Sequence, residues 1–273
     1  MSLRIQTNIE AFDAHRNLVN TENQLSDSMQ KLSSGFRINK AADDAAGLAI
    51  SEKLEAQIGG LDQAQRNAQD AVNLVQTGEG ALAEVQSMLQ RVRDLAVQYN
   101  NGTLAAADKA AITAEVAQLC SEISDIGSQT QFNGINLLNG AGTITFQVGA
   151  NDNETLNVST VALFGSGTSY SVNAQIFNFT GSSIVLASID AAIQNVSNDR
   201  STFGSVQNRL DHRLNNLATY EENLTASESG IKDVDMASEM VNFTKLQILQ
   251  QAGTAMLAQA NSAPQSVLSL LGH

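Results

Sequence analysis

From Leu18 the apolar residues of this chain recur as Leu18, Leu25, Met29, Leu32 and Phe36. Steps of seven, four, three and four keep them on one stripe of a helix. Most positions between them are polar, so the stripe needs a partner to leave water. Burying each large side chain contributes roughly 1.5 to 3 kcal/mol. The segment SSGFRINKAADDAAG interrupts this rhythm, with Gly35 at a helix end and Asp43 and Asp44 suited to the start of the next helix, where the dipole favours acids. The spacing places a boundary near residue 42.

The next seam, Leu54, Ile58, Leu61, Gln65, Ala68, Val72 and Val75, alternates four and three in a heptad rhythm. After Gly78 and Gly80 it resumes one residue out of phase as Leu82, Val85, Leu89, Val92, Ala96 and Tyr99. Such a slip alters the local winding of a long helix without ending it. One helix is therefore expected over 44–99. Asn100, Asn101 and Gly102 read as a turn, and Ile112, Val116, Leu119, Ile123 and Ile126 predict a shorter helix over 105–129 that packs back on the first.

From Asn133 the pattern changes. Asn133-Gly134 and Asn139-Gly140 are turn signals, and ITFQVG and ETLNVSTV alternate like strands across a GANDN turn. A small β-hairpin region is expected over 140–183, of which 165–183 is Ser-, Gly- and Thr-rich and reads as an exposed loop with one further short strand. Helical rhythm returns at Leu186, Ile189, Ile193 and Val196 and continues through Phe203, Val206, Leu210, Leu214, Leu217 and Leu224. That predicts a long helix over 186–228, closed by Glu228-Ser229-Gly230. Leu246, Leu249, Gly253, Met256 and Ala260 then form a second thin stripe ahead of Pro264.

The order of elements is nearly palindromic: thin helix, long helix, strand-rich middle, long helix, thin helix. Four seams are buried most simply by pairing the long helices with each other and the thin ends with each other. The predicted fold is mainly α, a long antiparallel helical bundle or coiled coil with a small β-hairpin region mid-chain and paired terminal helices. Residues 1–42 with 234–273 would form one domain and 43–233 an outer rod. The terminal seam, carried by Leu18, Leu25, Met29, Leu32, Leu246, Leu249 and Met256, is thin, and is expected to be completed by neighbouring copies.

Composition narrows the function. There is no Trp, one Pro, and 4% aromatic residues, which suits helices packed through thin seams. A net charge of −13 with fifteen scattered Lys and Arg argues against a nucleic-acid groove. Cys120 is the one cysteine and is expected in the core. The start, MSLRIQTNIEAFDAHRNL, holds no apolar run of signal-peptide length. No segment approaches the roughly 18 apolar residues of a membrane span, so no membrane insertion is expected.

Catalytic chemistry finds no foothold. His15, His212 and His273 lie in separate segments with no HExxH, and P-loop, GxGxxG and GxSxG patterns are absent. Asp43 and Asp44 as neighbours on a helix would point about 100° apart and not converge on a substrate. No cofactor, no metal and no enzymatic activity are expected.

Two stretches now carry a resemblance: NTENQLSDSMQKLSSGFRINKAADDAAGLAISEKL near the start and ILQQAGTAMLAQANSAPQSVLSLL near the finish. With QRVRDLAVQ, QTQFNGINLL and ITFQVGANDNETL between them, the chain resembles bacterial flagellin over roughly residues 1–160 and 185–273. The resemblance implies a structural subunit that polymerises into a helical tube for swimming motility. Paired terminal helices would line the tube and the long helices and hairpin would lie outside. It also implies export through the flagellar type III apparatus with the aid of a C-terminal export chaperone, and hook-junction and cap proteins as partners. Residues 161–184 stand where longer flagellins insert extra domains, so this is a core-only form. QRVRDLAV resembles the surface recognised by the host flagellin-sensing Toll-like receptor, and the matching positions are Arg91, Leu95 and Glu115; in a filament the same residues serve subunit packing. Asp94 replaces the Glu common in that motif, and the chain ends in Gly272-His273 where many relatives end in Arg. The competing reading is a hook–filament junction protein of similar terminal design, against which QRVRDLAV and VLSLL weigh.

Overall fold

The computed structural model describes residues 8–140, 142–161, 163 and 186–271, with side chains described as far as residue 262. Its helices are α1 (Ile9–Ser34), α2 (Ala45–Tyr99), α3 (Ala106–Gln129), α4 (Leu186–Lys232) and α5 (Met236–Leu271). Strands β1 (Gln131–Phe132) and β2 (Ile135–Asn136) form one antiparallel pair. Strands β3 (Thr143–Gln147) and β4 (Thr155–Ser159) form another. The loop and short strand expected over 165–183 fall outside the described residues.

Local chemistry explains most of the boundaries. Gly35 ends α1 in the left-handed conformation, φ +79°, with its N–H bonded to the Lys31 carbonyl. The two acids before α2 divide the work: Asp44 Oδ1 accepts from the Gly47 N–H at 2.9 Å as an N-cap, and Asp43 Oδ2 accepts from the Asn39 and Lys40 N–H groups. Those backbone bonds hold the Asp43 carboxyl below its usual pKa. Asn133 and Gly134, φ +49° and +80°, make the two-residue turn between β1 and β2.

One expected stop, at Gly230, is overturned. Helix α4 runs through Gly230 to Lys232, and α5 runs through Pro264 to Leu271. A helical glycine costs about 1 kcal/mol against alanine, and here the last turn is held by Lys232, whose Nζ lies 2.9 Å from Glu55 and 3.3 Å from Glu228. These carboxylates, Glu55 foremost, raise the Lys232 pKa.

The described residues divide into two compact units, Met1–Ala56 with Asn223–His273, and Gln57–Glu222. The divisions fall within α2 and α4, whereas the sequence places its boundaries at the helix breaks near 42 and 233.

In the unit 57–222, α2 and α4 are antiparallel partners. The Gln65 side chain pairs with Glu221, Arg200 with Glu79 and Gln86, and Arg93 with Asp190. One core joins Val75, Leu82, Leu89 and Val92 of α2, Val116 and Ile123 of α3, Leu156 and Val158 of β4, and Val196, Phe203 and Leu210 of α4. Gly78 sits under the Phe203 ring, where a Cβ would lie 2.9 Å from Cε2. The β3–β4 hairpin is tied down by Asn67, which donates to the Gln147 carbonyl, and by Arg213, which donates to Val148.

Cys120 is buried in this core, and burial pushes its thiol up to about 11. Alkylation of the folded chain at pH 8 should therefore run about 100-fold slower than of a free cysteine, measured by mass shift with time. The protonated thiol favours the fold at neutral pH, and that contribution fades as pH rises from the free-thiol value towards about 11.

Candidate assembly surface

In the other unit, α1 and α5 pair antiparallel in a register set by four contacts. The Asn8 Nδ2 donates to the Ala260 carbonyl at 2.7 Å. Leu18 packs on Gly253, where an added Cβ would stand 3.3 Å from Leu18 Cδ1. The buried Ser28 hydroxyl donates to Glu239 Oε1 at 2.5 Å. Beyond the helix ends, Phe36 and Asp233 form an antiparallel bridge, flanked by the Arg37 N–H to the Lys232 carbonyl and the Val234 N–H to Gly35.

The residues of α1 turned to this seam are Ala11, Ala14, Leu18, Thr21, Leu25, Ser28 and Leu32, in alternating steps of three and four. Those of α5 are Glu239, Phe243, Leu246, Gln250, Gly253, Leu257 and Ala260, in the same rhythm. Leu18, Leu25, Leu32 and Leu246 stand in this seam between α1 and α5. Met29, Leu249 and Met256 do not: they are 55%, 46% and 64% exposed. Reading the largest apolar residue at each step selects Met29, Leu249 and Met256 beside the seam, whereas Ser28 and Gln250 stand in it. Both stripes keep a four-and-three spacing from Leu246 to Ala260, so spacing alone does not separate Gln250 and Leu257 from Leu249 and Met256.

Helix α5 is therefore apolar on two sides. Opposite its seam, Val241 and Ile248 are 71% and 61% exposed, and with Met240, Thr244 and Lys245 they line a shallow apolar depression. Among the described residues, twelve of the fifteen large exposed apolar side chains belong to the unit of the two chain ends. A helix apolar on opposite faces is stable in water only when both are covered.

The other predicted positions separate. Arg91 and Glu115 meet across α2 and α3, with Nη2 and Nε 2.7 and 3.0 Å from one carboxylate oxygen. Both side chains remain about half exposed, so the pair adds about 0–1 kcal/mol to stability. Leu95 instead lies in the core, 2% exposed. Of the three matching positions, Arg91 and Glu115 are thus accessible in the single chain and Leu95 is not. Among the described residues there is no metal-binding cluster, and no helix is long and apolar enough to cross a membrane.

The pattern of the bacterial flagellin N-terminal helical region matches residues 5–143, and that of the bacterial flagellin C-terminal helical region matches residues 186–271. The chain belongs to the flagellin family. It is 50% identical to a flagellin of Halalkalibacterium halodurans over 98% of this chain and 99% of that one. It is 44% identical to a flagellin of Bacillus subtilis over 98% of this chain and 100% of that one. A flagellar filament 33 kDa core protein of Treponema phagedenis is also 44% identical, over 98% and 99%. This flagellin is a structural subunit of the bacterial flagellar filament, and it polymerises with copies of itself. Its place is the extracellular flagellum. Nothing in these similarities favours the hook–filament junction protein.

Proposed function

We propose that copies of this flagellin join through the paired terminal helices, with the outward apolar face of α5 covered by neighbouring subunits. In this reading residues 1–42 and 234–273 form the inner layer of the filament and line its lumen, and 43–233 form the outer layer. The observation that carries it is the concentration of exposed apolar side chains, Val241, Ile248, Met240 and Met256 among them, on the terminal pair. Contacts between identical copies that do not close into a ring generate an open helical polymer.

Finer roles follow from the same reading. Before assembly the apolar α5 calls for a cover, which an export chaperone binding the C-terminal helix would supply on the way to the type III apparatus. Hook-junction and cap proteins would present matching terminal helices at the two ends of the filament. Arg91 and Glu115 would serve packing between subunits and, on released chains, recognition by a host flagellin-sensing Toll-like receptor. Catalysis has no part in this account.

Ile248→Glu tests the proposal. It alters a side chain already 61% exposed in the single chain, so thermal unfolding of the soluble protein should not change. In the polymer it removes an apolar contact of roughly 1.5 to 3 kcal/mol and buries a charge. The critical concentration for seeded growth should rise by about 100-fold or more; an unchanged critical concentration would show that this face is not a subunit contact.

A further inference from the structure

We propose that the side chain of Asn8 is a clasp coupling the beginning of α1 to the end of α5, and that Pro264 creates its docking point. In an α-helix the carbonyl of residue 260 accepts from the N–H of residue 264. Here residue 264 is proline and has no N–H, yet the helix continues past it. The Ala260 carbonyl is left without its intrahelical donor, and the Asn8 Nδ2 donates to that oxygen at 2.7 Å. The other end of the same carboxamide is also engaged: Oδ1 accepts the Ala11 N–H at 3.1 Å and caps α1.

One planar group thus satisfies an orphan donor of one helix and an orphan acceptor of another, 252 positions away. Asparagine is suited to both tasks. Aspartate would cap α1 as well but has no donor for Ala260. The Leu18–Gly253 and Ser28–Glu239 contacts fix the register that brings Asn8 opposite Ala260. The first turn of α1 and the turn of α5 around 260 therefore order together. This follows from the pairing within one chain and does not rest on how copies assemble.

Amide exchange at residues 9–12 tests the clasp, followed by mass spectrometry in the full-length chain, both soluble and sedimented after seeding. The fraction that sediments reports on polymerisation, and the comparison of variants within either fraction reports on the clasp. Asn8→Asp should speed exchange about tenfold in the natural background. With Pro264→Ala, which restores a backbone N–H for Ala260, the same change should matter less than about twofold. Asn8→Ala loses the cap too and should speed exchange in both backgrounds. Equal effects of Asn8→Asp with and without Pro264, or no effect in either, would overturn the proposal.

Discussion

A chain lacking residues 1–30 stays soluble, keeps residues 57–222 folded and forms no filaments. The deletion removes α1 as far as Gln30, and with it the cover over Leu246, Gly253 and Leu257 on α5. It takes nothing from the core around Leu82, Leu89, Ile123, Phe203 and Leu210, whose members all lie between Ala68 and Leu210. Burial of that core supplies the stability of its unit, since each fully buried aliphatic side chain contributes roughly 1.5 to 3 kcal/mol. Circular dichroism should therefore show the helical signal reduced by the share of α1 and of α5, which loses its cover, with a cooperative melt of the 57–222 unit retained. Electron microscopy after seeding should show no growth. Normal filaments from this chain would mean that α1 is not part of the subunit contact.

Phe203→Ala should cost the 57–222 unit about 3–5 kcal/mol, the range for removing a buried aromatic from a packed core. Phe203 is 2% exposed and its ring lies against Gly78 on α2. The pair explains why a long helix tolerates glycine there: a side chain at 78 would collide with the ring. The second half of the prediction is a reversal of sign. In the natural protein Gly78→Ala brings a Cβ to 2.9 Å from Cε2, and overpacking of this kind costs about 1–3 kcal/mol, outweighing a helix-propensity gain of about 1 kcal/mol. In the Phe203→Ala background the clash is gone and Gly78→Ala should stabilise. Urea midpoints of the two single variants and the double variant measure all three values, and destabilisation by Gly78→Ala in both backgrounds would contradict the packing described.

The same contrast shows what the sequence could and could not disclose. Signals whose physics is local read correctly: the left-handed Gly35, the Asn133-Gly134 turn, the β3–β4 alternation and the heptad rhythm of α2 all name their elements. Gly230 misled because its penalty is local while its compensation is distant, Lys232 reaching Glu55. The terminal seam was half legible. Leu18, Leu25, Leu32, Leu246 and Leu257 are large residues on it, but Ser28 and Gln250 complete it, and size favours the outward Met29, Leu249 and Met256 over them. The face opposite the seam, carrying Val241 and Ile248, holds information of its own, since a helix with one partner needs one apolar face and α5 has two. Leu95 shows the converse: a motif of adjacent residues on a helix was read as one surface, although Leu95 turns to the core and Arg91 to solvent.

The central claim is that the terminal pair, with the apolar face of α5 outward, is what joins subunits. A density map of the seeded filament tests it most directly. The account predicts α1 and α5 at the smallest radius, with Val241 and Ile248 buried against a neighbouring copy and residues 57–222 outside them. A map that places 57–222 innermost, or leaves Val241 and Ile248 in solvent, would contradict it.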